Sequence, residues 1–131
     1  QTLQNIKTFT VLKEGVTNAD LVIEAASENF NIKEKIFREL DELCAPHCIL
    51  ASNTSSISIT KIGACTKRAD KVIGMHFMNP VPLMKLVEVI RGYATSNETN
   101  NLVFEVSKKL QKIPLHPWAK RRLNFISKVL I

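Results

Sequence analysis

Apolar runs alternate with amphipathic segments along this chain, in the order expected of β-α-β units. Residues 20–26 form a continuous apolar run with β-branched side chains, as in a parallel strand covered on both faces. Residues 31–43 carry apolar side chains at helical spacing, with charged side chains between them. The apolar positions of this segment are Ile32, Ile36, Phe37, Leu40 and Leu43. The pattern predicts a strand followed by its crossover helix.

The same pattern predicts further strands and helices as far as Pro114 and is not visible beyond it. They are strands at residues 48–52, 72–77 and 86–90 and helices at residues 55–64 and 97–110. Thr95 or Ser96 is the expected N-cap of the last helix. The core positions expected for that helix are Leu102, Val103, Val106 and Leu110. Because no period is visible beyond Pro114, we expect an α/β domain over residues 1–114, with element order β-α-β-α-β-β-α, and a divergent basic tail over residues 115–131.

Length and composition indicate a single domain. The chain has 131 residues, of which 45% are hydrophobic, and this is enough to bury one core. No stretch approaches the roughly 18 consecutive apolar residues that a membrane span needs. Residues 1–10 also lack the pattern of a secretory signal. We therefore expect a soluble intracellular protein without a membrane partner.

The cysteines Cys44, Cys48 and Cys65 are odd in number and unevenly spaced. This favours free thiols in a reducing compartment over a disulfide framework. Cys44, His47 and Cys48 lie close together in the sequence, but a structural zinc site needs four ligands and no second cluster follows. We expect no metal centre.

The net charge of +6 comes mainly from the end of the chain. No acidic residue follows Glu105, whereas basic residues continue to Lys128. Such a tail is compatible with nucleic acid, with the phosphates of a nucleotide cofactor, or with a solvated terminus. Proteins that bind single-stranded nucleic acid place aromatic residues between such charges, and this tail does not. The sequence therefore disfavours a nucleic-acid partner.

A carboxylate inside an apolar strand is the first candidate for chemistry. Glu88 lies on the same face of its predicted strand as Leu86 and Ile90, where an unpartnered carboxylate is costly. His76 closes the preceding predicted strand, and a chain that turns at the intervening prolines would lay the two strands side by side. A carboxylate orients an imidazole and raises its basicity, which suits a general base near neutral pH. The spacing alone fits equally an exposed edge-strand glutamate and an unrelated histidine.

Two further polar positions each allow two interpretations. Ser55 belongs to a polar cluster that directly follows an apolar strand, where a ligand can be met at the carboxyl edge of the sheet. The same cluster fits an N-cap of the next helix, provided by Ser55 or Ser56. Lys33 falls in the first turn of a predicted helix, where the helix dipole disfavours a cation unless an anionic ligand is present. The alternative is a solvated lysine paired with Glu34 or Glu28.

Several of these motifs together resemble one family. The motifs are Asp20-Leu21-Val22-Ile23-Glu24-Ala25, Ala51-Ser52-Asn53-Thr54-Ser55-Ser56, Gly74-Met75-His76-Phe77-Met78-Asn79-Pro80 and Met84-Lys85-Leu86-Val87-Glu88. Their order and spacing, from about residue 19 to residue 114, resemble the NAD-dependent 3-hydroxyacyl-CoA dehydrogenases, most closely the short-chain 3-hydroxybutyryl-CoA type. The resemblance implies the C-terminal half of an NAD-binding domain, that is, a partial Rossmann-type doubly wound domain lacking the first βαβ unit.

The resemblance also implies roles for individual residues. The reaction would be the NAD-dependent oxidation of a 3-hydroxyacyl-CoA to a 3-oxoacyl-CoA in fatty-acid metabolism, with acyl-CoA as substrate and NAD as cofactor. His76 would be the general base, Glu88 would orient His76 and stabilise its charged form, and Ser55 would bind the substrate oxygen near the nicotinamide. The positions that match NAD contacts in relatives are Glu28, Lys33, Ser55 and Asn79. Family members are usually homo-oligomers and occur in bacterial cytoplasm, mitochondria and peroxisomes, so the compartment stays open.

The chain departs from the family pattern at both ends. The G-x-G-x-x-G turn that binds the cofactor pyrophosphate is absent, because no two of Gly15, Gly63, Gly74 and Gly92 have that spacing. Residues 123–128 lack the Pro-Gly-Phe segment and the Asn-Arg pair that relatives have near this place. We therefore expect an incomplete chain that is weak or inactive alone. The alternative is a non-catalytic remnant of the family that binds acyl-CoA or a partner.

Overall fold

Five strands form one mixed sheet in the computed structural model, which describes residues 3–117. They are β1 (Leu21–Glu24), β2 (Ile49–Ser52), β3 (Val72–Phe77), β4 (Leu86–Arg91) and β5 (Ile113–Leu115). The strands lie in the sheet in the order in which they occur in the chain. β1, β2 and β3 are parallel, β4 is antiparallel to β3, and β5 is parallel to β4. The carboxyl ends of the first three strands therefore meet the amino end of β4 at one edge of the sheet.

Helices cover both faces of this sheet. They are α1 (Leu12–Val16), α2 (Phe30–Leu43), α3 (Ile59–Gly63) and α4 (Asn97–Lys109), with 3₁₀ turns at Leu3–Asn5 and Ala69–Lys71. α2 and α3 pack on the face that carries Leu50 and Val72, whereas α4 packs on the face that carries Ile73 and Val89. The predicted α/β class and its doubly wound layout are confirmed. None of the helices between residues 3 and 117 has the length and apolar character needed to cross a bilayer.

Each face of the sheet buries its own apolar cluster. The cluster under α2 and α3 includes the fully buried side chains of Phe37 and Leu40. The cluster under α4 includes Met75, Val87 and Val103. Successive side chains of a strand point to opposite faces, so each strand contributes to both clusters. Because burying one large apolar side chain contributes about 1.5–3 kcal/mol, these two clusters are the main source of stability.

β1 is shorter and less covered than the sequence pattern predicts. It ends at Glu24, and Ile23 is exposed instead of buried. Ile23 lies on the same face as Leu21, towards the α4 side, but α4 packs chiefly over β3, β4 and β5. Within residues 3–117, β1 is an edge strand of the sheet. An apolar run at an edge therefore does not imply burial on both faces.

The inward faces of two helices differ from the predicted ones. Ile32 is exposed, and its neighbour Lys33 is buried in its place. Leu102 of α4 and Leu110, which directly follows the helix, are each 50% exposed, whereas Val103 is fully buried. Helical spacing defines a stripe of apolar positions but not which border of the stripe meets the sheet. In α2 the position that faces the sheet is occupied by Lys33, whose charge is neutralised by the carboxylate of Glu24.

Side-chain caps mark where the helices begin. The N-caps of α2, α3 and α4 are Asn29, Ser58 and Ser96. Each accepts a hydrogen bond from a backbone N–H of the first turn, which would otherwise lack a partner. Ser96 is one of the two predicted caps of α4. The helix expected from residue 55 begins only at Ile59, so the alternative interpretation of Ser55 or Ser56 as its N-cap is wrong.

The sequence pattern does not predict strand β5. The backbone N–H of Ile113 donates to the carbonyl of Lys85 at 2.7 Å, and Pro114 lies opposite Val87 in the register. Proline lacks a donor and is tolerated here because β5 pairs on one side only within the described sheet. β5 runs across the expected boundary at residue 114, and the expected tail from residue 118 onward lies outside the described residues.

Arg68 closes the carboxyl end of α2. Its Nε donates to Asp41 Oδ1 at 2.7 Å, and its Nη2 donates to the backbone carbonyls of Asp41 and Cys44 at 2.8 and 3.1 Å. Its Nη1 donates to the carbonyl of Ala45 at 2.6 Å. The last carbonyls of a helix have no intrahelical donors and carry partial negative charge. A guanidinium therefore stabilises them both by donating hydrogen bonds and by its positive charge. The contact also anchors the 3₁₀ turn before β3 to α2.

We expect Arg68→Ala to lower the free energy of unfolding by about 3 kcal/mol, since it leaves a nearly buried carboxylate without its cation. Arg68→Lys should recover little of this loss, because an ammonium cannot reproduce the planar fork. Urea unfolding measures both. Arg38→Ala is the matched control, because Arg38 pairs with Glu34 on the exposed surface of α2 and its removal should scarcely change stability. Equal losses for Arg68→Ala and Arg38→Ala would contradict this account of the α2 terminus.

Candidate functional site

His76 and Glu88 meet across β3 and β4. The antiparallel register places the two residues directly opposite each other, and His76 Nδ1 lies 2.9 Å from Glu88 Oε2. The two side chains are 20% and 11% exposed. Both point to the α2 and α3 side of the sheet, at the edge where the parallel strands end. When Nδ1–H donates to the carboxylate, the neutral ring keeps its accepting lone pair on Nε2.

A second buried carboxylate lies on the same face of the sheet. Glu24, at the end of β1, pairs in register with Ser52 at the end of β2, and Ser52 Oγ donates to Glu24 Oε2 at 2.7 Å. The backbone N–H of Ala26 donates to Glu24 Oε1 at 2.6 Å. Lys33 Nζ lies 2.8 and 2.9 Å from the two carboxylate oxygens. Glu24 thus joins the ends of two strands and the first turn of α2.

Lys33 is neither solvated nor paired with Glu34. Its side chain is 1% exposed, and its ammonium faces Glu24. Glu28 Oε2 is the next acidic atom, at 3.9 Å. The cation disfavoured at a helix N-terminus is therefore neutralised by a carboxylate of the preceding strand.

Glu28 holds the loop that follows β2. Its Oε1 accepts from the backbone N–H groups of Ser55 and Ser56 at 3.2 Å each and from Ser56 Oγ at 2.9 Å. The hydroxyl of Thr54 donates to the same oxygen. Hydrogen bonds to the carboxylate, first from Thr54 and then from Ser56, outweigh partial desolvation and lower the pKa of Glu28 to about 2, with Lys33 adding a smaller attraction. One carboxylate therefore fixes the position of Ser55.

The remaining candidates lie at the same edge. Ser55 is exposed and is held through its backbone N–H rather than through its hydroxyl. Asn53 Oδ1 accepts from the backbone N–H of Phe77 at 2.8 Å, which ties the Ser55 loop to the end of β3, next to His76. Asn79 is exposed in the loop after β3, and the hydrogen bonds of the described residues do not join it to the others. The structure thus groups Ser55 and Glu28 in one network and leaves Asn79 apart.

Glu24 belongs to this network although the sequence interpretation assigns it no role, whereas Ser52 is identified there only as a member of the polar cluster that follows its strand. The signal is present, since Glu24 closes an apolar strand just as Glu88 interrupts one. The partner is not evident from the sequence, because Lys33 belongs to a helix and is followed by the charged residues Glu34 and Lys35, which suggest a solvated face.

The cysteine segment has no ligand cluster in the described part of the chain. Between residues 3 and 117, no group of three or more His, Cys, Asp or Glu side chains is arranged to hold a metal ion. Cys44 and Cys48 are buried free thiols, and burial raises the pKa of Cys48 to about 11. His47 instead lies at the surface, with Nε2 2.8 Å from Asp20 Oδ1. A buried thiol with a raised pKa is a poor nucleophile and a poor metal ligand.

Comparisons with known proteins converge on one family. The family model described as the NAD-binding domain of 3-hydroxyacyl-CoA dehydrogenase matches residues 1–119. A 3-hydroxybutyryl-CoA dehydrogenase of Clostridioides difficile is 59% identical over 102 residues, which cover 78% of this chain and 36% of that protein. The human mitochondrial hydroxyacyl-coenzyme A dehydrogenase is 47% identical over 115 residues, which cover 88% of this chain and 37% of that protein.

A solved structure shows the same architecture. The crystal structure of the (S)-3-hydroxybutyryl-CoA dehydrogenase PaaH1 from Ralstonia eutropha superimposes with a TM-score of 0.79 at 50% sequence identity. The match covers 82% of this chain and 38% of that one. This chain therefore spans little more than a third of the length of these three relatives.

Gly74→Ala tests what sets the spacing between β3 and β4. A Cβ at Gly74 would lie 2.8 Å from Ile90 Cβ and 3.1 Å from Ile59 Cδ1. We expect overpacking to cost about 1–3 kcal/mol and to push His76 away from Glu88. Gly63→Ala is the control, because its Cβ would meet Val72 Cβ at an ordinary 3.6 Å. Urea unfolding and the NMR shifts of the His76 ring read out both effects, and a fully stable Gly74→Ala protein would refute the packing argument.

The Glu28 network predicts a pH dependence of stability. Because the pKa of Glu28 is about 2 in the folded chain against an ordinary 4.5, its stabilisation is complete above pH 4.5 and is lost as the pH falls through about 2. The difference in unfolding free energy between the unaltered chain and Glu28→Gln should shrink over that interval. A carbon-13 NMR titration of Glu28 gives the pKa directly. Ser56→Ala should raise it, whereas Ser55→Ala, which keeps the donating N–H, should not; a midpoint near 4.5 in the unaltered chain would contradict the network.

Proposed function

The chain belongs to the 3-hydroxyacyl-CoA dehydrogenase family, through that family's NAD-binding domain, and we propose that it carries the proton-transfer residues for oxidation of a 3-hydroxyacyl-CoA to a 3-oxoacyl-CoA. Members of this family are NAD-dependent oxidoreductases, which sets the reaction class. The observation that carries the proposal for this chain is the contact of 2.9 Å between His76 Nδ1 and Glu88 Oε2.

In the proposed reaction His76 is the general base. Its Nε2 takes the proton of the substrate's 3-hydroxyl as the carbonyl forms, and the ring becomes an imidazolium. Glu88 stabilises that charge across a contact that is largely shielded from water, where electrostatic attraction is stronger than in solvent. The carboxylate also fixes the ring in the tautomer that accepts at Nε2. Orientation and charge stabilisation thus come from the same contact.

Ser55 is proposed to hydrogen-bond the reacting oxygen of the substrate. Its hydroxyl is carried by a loop that Glu28 and Asn53 tie to the neighbouring strands. A donor held in place before the substrate arrives loses little entropy on binding and can stabilise charge that develops on the oxygen. Ser55 would therefore act with His76 on the same atom of the substrate.

The residues present fit one end of NAD only. Glu28, Ser55 and Asn79 offer exposed polar atoms at the edge of the sheet where the parallel strands end, and Lys33 is buried with its ammonium 3.9 Å from Glu28 Oε2; we assign all four to the nicotinamide side. The chain has no G-x-G-x-x-G turn, and the glycines within residues 3–117 have no positive φ. The residues therefore do not fit the pyrophosphate. NAD, when bound, would accept the hydride from the substrate carbon.

For this reason we expect weak turnover from the chain by itself. A specific observation also supports a second candidate function: without a pyrophosphate cradle, the chain would be a non-catalytic member of the family that binds acyl-CoA or a partner chain. The acyl-CoA substrate and any oligomeric assembly belong to the proposal.

The experiment follows NADH oxidation with acetoacetyl-CoA by nicotinamide absorbance. If the chain turns over, His76→Ala should lower kcat by about 10²–10⁴ and Glu88→Gln by less, because removing a positioned base costs that much. His47→Ala is the control, since His47 pairs with Asp20 at the surface, and it should leave kcat unchanged. Ligand binding without turnover in the unaltered chain would favour the non-catalytic alternative. Full activity of His76→Ala would end the base assignment.

A further inference from the structure

The loop of residues 78–85 joins β3 to β4 at the edge of the sheet where the parallel strands end. It carries the exposed residue Asn79, and it has few hydrogen-bond donors of its own, because it contains two prolines, which lack a backbone N–H. The N–H groups of Leu83 and Met84 both donate to the carbonyl of Pro80, at 3.0 and 2.9 Å. These hydrogen bonds close a turn within the loop but do not attach it to another segment.

Lys112 attaches the middle of this loop to the turn that follows α4. Its Nζ donates to the carbonyl of Met84 at 2.8 Å and also to the carbonyl of Val81. The backbone N–H of the next residue, Ile113, donates to the carbonyl of Lys85 at 2.7 Å, where β5 pairs with β4. Strand pairing therefore holds the last residue of the loop, whereas the ammonium holds the residues before it.

The charge of the ammonium matters because two carbonyl oxygens converge on it. Both oxygens carry partial negative charge, so they repel each other when they approach the same nitrogen. A cation between them replaces that repulsion by attraction, and a hydrogen bond from a charged donor is stronger than one from a neutral donor. The closed conformation of the loop therefore depends on a positive charge at Lys112.

The end of α4 directs Lys112 towards the loop. The backbone N–H of Lys112 donates to the carbonyl of Ser107 at 3.0 Å, and that of Gln111 donates to the carbonyl of Lys108 at 2.9 Å. These are the two hydrogen bonds of a Schellman turn, which requires a left-handed residue at the position of Gln111. Gln111 has a φ of 59°, in the region that favours glycine. Such a conformation persists only where neighbouring contacts hold it, and here they are those of Lys112 and β5.

We propose that Lys112 is a positioning residue of the site: its ammonium keeps the loop of residues 78–85 closed, and the closed loop presents Asn79 at the sheet edge. Within the described residues, hydrogen bonds do not join Asn79 to the loop that carries Ser55, so its placement depends on the backbone of its own loop. The consequence for a ligand rests on the proposed function, which assigns Asn79 to the nicotinamide side. The positioning itself is a property of the chain without ligand.

Amide hydrogen exchange by NMR, without ligand, tests the positioning. Lys112→Met removes the charge and keeps an unbranched apolar side chain. Lys109→Met, at an exposed position in the last turn of α4, is the matched control. Exchange is read at Leu83 and Met84, whose N–H groups close the turn, and at Val89, which is buried in β4.

We expect Lys112→Met to speed exchange at Leu83 and Met84 by about tenfold, the effect of losing one charge-assisted hydrogen bond, and to leave Val89 protected. Lys109→Met should change none of the three rates. Unchanged exchange in the loop of Lys112→Met would overturn the proposal. Equal acceleration at Val89 would overturn it too, because the lysine would then stabilise the whole fold.

A second variant keeps the test decisive if Lys112→Met does not fold. Gln111→Gly relieves the left-handed backbone and so stabilises the fold, but it supplies no cation to the loop. The double variant Gln111→Gly/Lys112→Met is then compared with Gln111→Gly alone. Faster exchange confined to Leu83 and Met84 supports the proposal, and equal rates in the two proteins contradict it.

NADH binding distinguishes positioning of Asn79 from a general effect. In an NMR titration with NADH alone, Lys112→Met should raise the Kd several-fold in the unaltered chain but not in the Asn79→Ala background, because the lysine acts through Asn79. An equal rise in both backgrounds would overturn that link. If NADH does not shift the Asn79 resonances of the unaltered chain, the proposed assignment of Asn79 to the cofactor fails, whereas the exchange measurement still decides the positioning.

Discussion

The pairing of β3 with β4 is the constraint on which the site depends. In an antiparallel pair, residues of one face lie opposite each other, so the register that sets Gly74 against Ile90 also sets His76 against Glu88. A slip of one residue would turn Glu88 towards the α4 side, among buried apolar side chains, where a carboxylate has no partner. Packing of the two faces therefore selects the register, and the imidazole–carboxylate contact follows from it.

Two buried carboxylates on the same face of the sheet, Glu24 and Glu88, have different partners. Glu24 receives the ammonium of Lys33, and the two side chains form a buried ion pair. Glu88 receives the imidazole of His76, whose second ring nitrogen is left to accept a hydrogen bond or a proton. Burial makes a counter-charge necessary in both cases. In the proposed reaction only the imidazole–carboxylate pair takes part in proton transfer.

The period of side chains along a strand predicts the contact between His76 and Glu88, whereas it does not predict the contacts that depend on loops and on helix orientation. His76 and Glu88 were predictable because alternation fixes the face of Glu88 and the prolines bring the strands together. The Glu24–Lys33 pair required knowing which border of α2 faces the sheet, and helical spacing leaves that open. The contacts of Glu28 with Ser56, and of Arg68 with the end of α2, depend on loop and turn conformations. Hydrophobic patterning does not encode such conformations, so local polar contacts were the part left unpredicted.

The contact proposed for proton transfer and the turn that binds pyrophosphate in this fold depend on different stretches of sequence. The imidazole and the carboxylate are 12 residues apart, and one antiparallel pairing brings them together. Their spacing is set by apolar packing around Gly74, and the Ser55 loop is held by internal charges, so neither requires a ligand to become ordered. Pyrophosphate binding depends instead on backbone N–H groups of a glycine turn, which is a different stretch of sequence. A chain with the first feature and without the second should keep the geometry of its base whatever its affinity for NAD.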